Sequence, residues 1–233
     1  MNVKPGDVVL PGDIADISEV QQSESKLILG PGLQRNRDEV MITKCGVLRK
    51  SGNNTYWVDN HQKRYVPARG ECVLGVVTNA RGEMFRVDIG ASDDACISYL
   101  AFEGATKKNR PMINVGDVLF AKLLVASKEM EPELVCVDSH GKKGRLGIIP
   151  EGGFLFTCSL NLVRKLLHPT CPLLPMLGRD VSYEVIVGMN GKIWVKTKSV
   201  RETIVVCNAI LSAEFMTQEQ IVQLTNKLAS NIG

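Results

Sequence analysis

Residues 71–89 read Glu-Cys-Val-Leu-Gly-Val-Val-Thr-Asn-Ala-Arg-Gly-Glu-Met-Phe-Arg-Val-Asp-Ile. An apolar run over Glu71–Thr78 meets a polar turn, Asn79–Gly82, and the chain returns as Glu83–Ile89. In the return, alternation puts Met84, Arg86 and Asp88 on one face and Phe85, Val87 and Ile89 on the other, the two-residue period of a half-buried strand. Ala95–Tyr99, Asp117–Ser127 and Pro132–Asp138 supply three more β-prone runs. Five short strands between residues 67 and 150 predict a small closed antiparallel barrel, because closure removes exposed strand edges. An open sheet packed on the preceding module is the alternative.

Upstream, residues 1–66 are short strands cut by Pro5–Gly6, Pro11–Gly12 and Pro31–Gly32, turn dipeptides in which proline presets one φ and glycine accepts the positive φ that follows. Leu27–Leu29, Val40–Leu48 and Thr55–Val58 are the β-prone pieces between them. A small all-β module is expected. Downstream, residues 151–233 change character. Phe154–Cys158 reads as a strand, Ser159 as the cap of a helix over Leu160–Leu167, and Pro169 as its stop. Tyr183–Val187 and Lys192–Lys196 flank an Asn190–Gly191 turn. Glu202–Leu211 and Gln218–Leu228 have helical spacing, with Thr217 and Gln220 forming a capping-box pattern. The fold class is mainly β with an α+β C-terminal domain.

Of the 233 residues, 44% are hydrophobic and 23% charged, with 28 Lys plus Arg against 25 Asp plus Glu and a net charge of +3. Such a chain is too apolar for disorder and too evenly charged for a basic packing protein. Basic and acidic side chains nearly cancel in each third, so binding of nucleic acid has to work through a local patch. Seven widely spaced cysteines with no C-x-x-C pair argue against a disulfide framework or a zinc site. No window approaches the roughly 18 apolar residues of a membrane span, and no signal-like start is present; a soluble intracellular chain is expected.

Groups for catalysis are thin. His61, His140 and His168 fall one in each segment and in no metal-ligand spacing. Asp93–Asp94, Asp38–Glu39 and Asp13 with Asp16 could bind magnesium, but turn roles suit them better. Neither a catalytic residue, a metal site nor a cofactor is expected. Phosphate contact is better placed. Lys107, Lys108 and Arg110 lie in one loop of the expected barrel. Lys142, Lys143 and Arg145 lie in a second, glycine-rich loop that lacks the P-loop order. Phe85 and Tyr99 are aromatic positions that could meet bases, since small barrels bind single strands by stacking and charge neutralisation.

Three stretches together carry a resemblance: Ala105–Pro111 with Val115-Gly116-Asp117, Gly147–Pro150, and Val187–Lys196, whose G-x-N-G-x-x-W-V pattern is quite specific. With Pro5–Gly6–Asp7, Leu29–Gly32 and Asn60–Pro67, the chain resembles the exosome component three family, S1/KH cap subunits of the eukaryotic RNA exosome, over essentially its whole length. The resemblance implies an N-terminal β domain at 1–66 contacting the ring, an S1-type OB barrel at 67–150 and a KH domain at 151–233.

It further implies a non-catalytic, RNA-binding subunit that steadies the ring of RNase PH-like subunits beside other cap subunits. Single-stranded RNA would be guided into the channel for 3'-5' processing and decay, including rRNA processing, while separate exonuclease subunits cut. Nucleus, nucleolus and cytoplasm are the implied locations. Gly6, Asp7, Gly30, Pro31 and Gly32 correspond to the ring-contacting stretch, and Lys107, Lys108 and Arg110 to the RNA-facing loop. Gly188, Asn190, Gly191 and Trp194 match the KH-region signature and read as structural. Where a KH domain clamps RNA with a G-x-x-G loop between two helices, this chain has His168-Pro169-Thr170-Cys171-Pro172, so its KH domain is expected to pack rather than recognise. The rival readings are a stand-alone S1/KH RNA-binding factor and a hydrolase using Asp93 and Asp94.

Overall fold

The computed structural model describes residues 2–16, 27–37, 39–52, 54–127 and 129–232; Asp38, half of one carboxylate pair above, lies outside them. The chain forms two compact units, residues 1–62 and 63–233.

In the first unit, β1 (Asn2–Val3), β2 (Val8–Val9), β3 (Ile14–Ala15), β4 (Ile28–Leu29), β5 (Leu33–Asn36), β6 (Glu39–Ile42), β7 (Gly46–Ser51) and β8 (Thr55–Asp59) make two four-stranded sheets, ordered β1-β3-β6-β5 and β2-β7-β8-β4. Val9, Val40, Ile42, Leu48, Tyr56 and Val58 fill the space they enclose. The run Val40–Leu48, expected as one strand, is split between the two sheets. Thr43 N–H still donates to Gly32 O in the β5–β6 register, and beyond it the chain crosses to the second sheet, where Gly46 passes so close to β8 that a Cβ there would lie 2.3 Å from Asp59 O.

The second unit begins with the barrel. Strands β9 (Cys72–Asn79), β10 (Met84–Asp88), β11 (Ala95–Ser98), β12 (Val118–Ser127), β13 (Met130–Val135) and β14 (Gly147–Ile148) run in the order β13-β11-β10-β9-β12-β14, and a β12–β13 pairing closes the ring. The closing β11–β13 pair is parallel, with Cys96 opposite Glu133. Inside lie Val73, Val77, Val87, Ile89, Ile97, Leu119 and Leu123. This is the predicted S1-type barrel.

The rest of the unit is the KH domain. Strands β15 (Phe154–Thr157), β16 (Tyr183–Val187) and β17 (Lys192–Thr197) form an antiparallel sheet ordered β15-β17-β16, covered by α1 (Leu160–Leu167), α2 (Leu173–Asp180), α3 (Val200–Ser212) and α4 (Gln218–Ile232). Ser159 caps α1 through Leu162 N–H, and Thr217 and Gln220 exchange hydrogen bonds at the start of α4. Sequence spacing did not single out α2, because Pro175 sits in it. The residue occupies the first turn, where backbone N–H groups have no helical partner to lose. Lys165 reaches from α1 to donate to the carbonyls of Ala213 and Glu214 just past the end of α3, where the helix dipole favours a cation.

Candidate nucleic-acid interface

The first basic loop is folded by its own polar residues. Thr106 N–H donates to Asn109 O at 2.9 Å, Asn109 N–H returns to Thr106 Oγ1 at 3.0 Å, and the Asn109 amide reaches Gly104 O. Lys107 and Lys108 are thereby held out at the tip, both exposed. Arg110 is pinned differently: its guanidinium stands 4.7 Å over the Tyr99 ring and 3.9 Å from Glu83 Oε1.

The second loop is built on Asp138, whose Oδ1 accepts from His140 N–H and Lys142 N–H at 2.8 and 2.9 Å. Lys142, Lys143 and Arg145 are exposed along it. The two loops are joined, since Lys143 N–H donates to Glu103 Oε2 at 3.0 Å and Cys136 N–H donates to Ala101 O. Two basic segments some 40 residues apart in sequence therefore share one end of the barrel. Glu83 and Glu103 sit among these cations, so the field there is local rather than broad.

Two aromatic candidates do not belong to that surface. Phe85 is 7% exposed and lies in the barrel core with Val87 and Ile89, the face its alternation assigned it to. Tyr99 is 3% exposed and has Arg110 over its ring. Both rings are used in packing and present no stacking platform.

The KH signature residues converge on the barrel. Where β10 has ended, the Asn190 side chain pairs with the freed edge of β9: Oδ1 accepts from Leu74 N–H at 3.2 Å, and Nδ2 donates to Leu74 O and to Ile89 O at 2.7 Å each. Met189 N–H continues the pairing onto Cys72 O. Gly188 has to lack a side chain, because a Cβ there would lie 2.7 Å from Leu74 N. Gly191 takes φ +81° to close the turn. Trp194 is buried in one cluster with Leu74 and Ile149 of the barrel and its cross-strand neighbours Leu155 and Ile186, and is packed flush on Gly153, where a Cβ would come within 2.2 Å of the indole.

Lys192 is the residue that sequence reasoning missed. It is buried, and its Nζ donates to Asp88 O at 2.9 Å and to Asp88 Oδ2 at 2.7 Å. Burial works against the Asp88 charge, but the Lys192 and Gly90 hydrogen bonds and the Lys192 charge outweigh it and hold the carboxyl below its ordinary range. The signal available was a lysine placed directly before the apolar run Ile193–Val195.

In the first unit the residues marked for ring contact also shape its turns. Asp7 Oδ2 accepts from Lys4 N–H at 2.9 Å and closes the turn that Gly6 makes at φ +102°. Asp13 does the same for Leu10, and Asp117 for Asn114 in the barrel. Gly30 and Gly32 lie against β8, where side chains would meet Trp57 and Val58, and Pro31 is exposed between them. Beside the first two turns stand the exposed side chains of Val8 and Leu10.

Carboxylates and histidines do not assemble. Asp94 accepts from Thr78 Oγ1, and His61, His140 and His168 are exposed on separate loops. Among the described residues no group of three or more His, Cys, Asp or Glu could hold a metal ion.

Three family models match: Mammalian exosome complex component RRP40, N-terminal, over residues 2–61; Exosome complex component RRP40, S1 domain, over 65–147; and KH domain over 153–201. The Exosome complex component RRP40 of Drosophila melanogaster is 50% identical over 97% of this chain and 95% of its own. This chain belongs to the RRP40 family. The Homo sapiens RRP40 is 41% identical, covering 97% of this chain and 91% of that one, and the Saccharomyces cerevisiae RRP40 is 35% identical over 87% of each. A solved structure carried under an exosome-complex RNA-binding description matches with TM-score 0.59 at 20% identity, over 73% of this chain and 99% of that one, which speaks for the fold alone.

Proposed function

We infer that this RRP40-family chain is a non-catalytic, RNA-binding cap subunit of the RNA exosome. Its first unit faces the RNase PH-like ring, and its barrel contacts single-stranded RNA on the way to the exonuclease subunits. The observation that carries the RNA contact is the hydrogen bond between Lys143 N–H and Glu103, which sets both basic loops at one end of the barrel. Phosphate contacts read no bases, so sequence preference is slight. The KH domain serves as a packing module: His168–Pro172 between α1 and α2 carries no glycine, and the signature residues are used against the barrel. Exposed Val8 and Leu10, presented by rigid Pro-Gly-Asp turns, supply apolar area for the ring, beside other cap subunits. Nuclear, nucleolar and cytoplasmic pools accompany that role.

The test is RNA crosslinking to this subunit in the assembled complex after Lys107, Lys108 and Arg110 are changed to alanine. Crosslinking should fall and its salt dependence flatten by a slope of about 2, from three lost single-strand phosphate contacts. Unchanged crosslinking at every salt concentration rejects the RNA face. Tight RNA binding by the isolated chain would favour a stand-alone S1/KH factor instead.

A further inference from the structure

A second surface of the KH domain combines an open strand edge with an apolar groove. Strand β15 is an edge of its sheet, paired only with β17. Because Cys158 N–H donates to Gly191 O, ladder alternation turns the backbone groups of Phe154 and Phe156 toward β17 and those of Leu155 and Thr157 outward. No hydrogen bond among the described residues reaches those outward groups.

Along this edge runs a groove of about 560 Å³ between β15 and α3, with Phe154, Phe156, Val200, Ile204 and Leu211 among its lining. Phe154 and Phe156 stack at 6.1 Å. Val200 is 77% exposed and Ile204 54%, and with Leu211 they recur at helical spacing on the side of α3 turned away from Val206 and Ile210 in the core. Helix α3 thus has a second apolar face left exposed among the described residues.

We propose that this edge and groove receive an extended apolar segment of a partner protein, which adds a fourth strand to the KH sheet through Leu155 and Thr157 and sets alternate side chains against Phe154, Ile204 and Leu211. Strand addition fits because the outward main-chain donors and acceptors of the edge lie beside one apolar groove that can take alternate side chains of an added strand. Nucleic acid does not fit, since the lining offers apolar side chains where phosphates need cations. A second copy of this chain fits poorly too: a four-residue edge is far short of the roughly 800 Å² per partner of a stable globular interface, but matches a short linear segment.

The probe is a phage-displayed library of random decapeptides panned against the full chain, followed by synthetic versions of the enriched sequences. Enriched peptides should alternate apolar with polar residues, slow amide hydrogen exchange at Leu155 and Thr157, and lose at least tenfold in affinity against Ile204→Glu. Thr157→Pro, which removes an outward donor without touching the β17 ladder or a core side chain, should weaken them similarly. Ile204 is solvent-facing, so the glutamate variant should melt with the wild type. Failure to enrich any sequence, binding without protection of the two amides, binding indifferent to Ile204→Glu, or a dimer through this face in sedimentation would each overturn the proposal.

Discussion

The side-chain amide of Asn190 pairs with both backbone groups of Leu74, 116 residues away, in the way a neighbouring strand would. Residues at a hairpin turn ordinarily face solvent. This one completes a barrel whose own strand β10 has run out, and that makes the KH turn part of the S1 domain.

Asn190→Ala should therefore cost more than a turn substitution. It leaves Leu74 N–H, Leu74 O and Ile89 O buried without partners, about 3 kcal/mol in total and about 6–12 °C in Tm for a unit of this size. Asn190→Asp keeps the acceptor but turns a carboxylate toward two carbonyls, and should be worse. Thermal melting of the three proteins checks the order; an alanine variant within about 1 °C of wild type contradicts it.

Lys192→Met should be destabilising by about 1–3 kcal/mol, since Asp88 O loses its donor inside the seam. The ion pair itself adds little to that figure, Asp88 being about half exposed. Asp88 has its pKa depressed, so its contribution is present above the ordinary carboxylate value near 4 and is lost as pH falls through the lower folded value. Stability should be flat in this term from pH 6 to 8, and the wild-type advantage over Asp88→Asn should shrink only below about pH 4. Urea titrations at stepped pH measure it.

Gly153→Ala should pry the KH sheet from the barrel, because the added methyl occupies the Trp194 indole. Tryptophan emission should shift to longer wavelength as Trp194 is wetted, with Trp57→Phe as the background that isolates the signal. Emission unchanged from the parent would show that the seam yields without opening.

Glu83→Gln should strengthen RNA crosslinking about twofold, by releasing Arg110 from an exposed ion pair while leaving it over Tyr99. If Arg110 takes no part in phosphate contact, the substitution will be silent.

Thiol reactivity should follow burial. Desolvation raises Cys136 and Cys158 each to about 12, opposed at Cys136 by a backbone hydrogen bond and Lys143, so both stay protonated and inert to iodoacetamide at pH 8. Exposed Cys45 should label first. As the folded values are raised, the stability these thiols lend persists below about pH 9 and drains away between there and about pH 12. Peptide mapping of alkylated protein tests the order of labelling.

What the amino-acid order alone determined was everything set within a few residues. The Pro-Gly-Asp turns, the alternation of Phe85, Val87 and Ile89, the Ser159 cap and the Thr217–Gln220 box each rest on neighbours along the chain, where steric and hydrogen-bonding rules act directly. Tertiary structure alone decided which polar groups are buried and what meets them. Asn190 could be read as a turn former but not as a partner of Leu74. Lys192 carried no hint of Asp88. Tyr99 could be named as an aromatic ring but not as one covered by Arg110. The Asn190 and Lys192 pairings join positions 116 and 104 residues apart, and no spacing rule spans that distance; they exist because two domains, once folded, leave unpaired backbone at a shared edge and exclude the water that would have satisfied it.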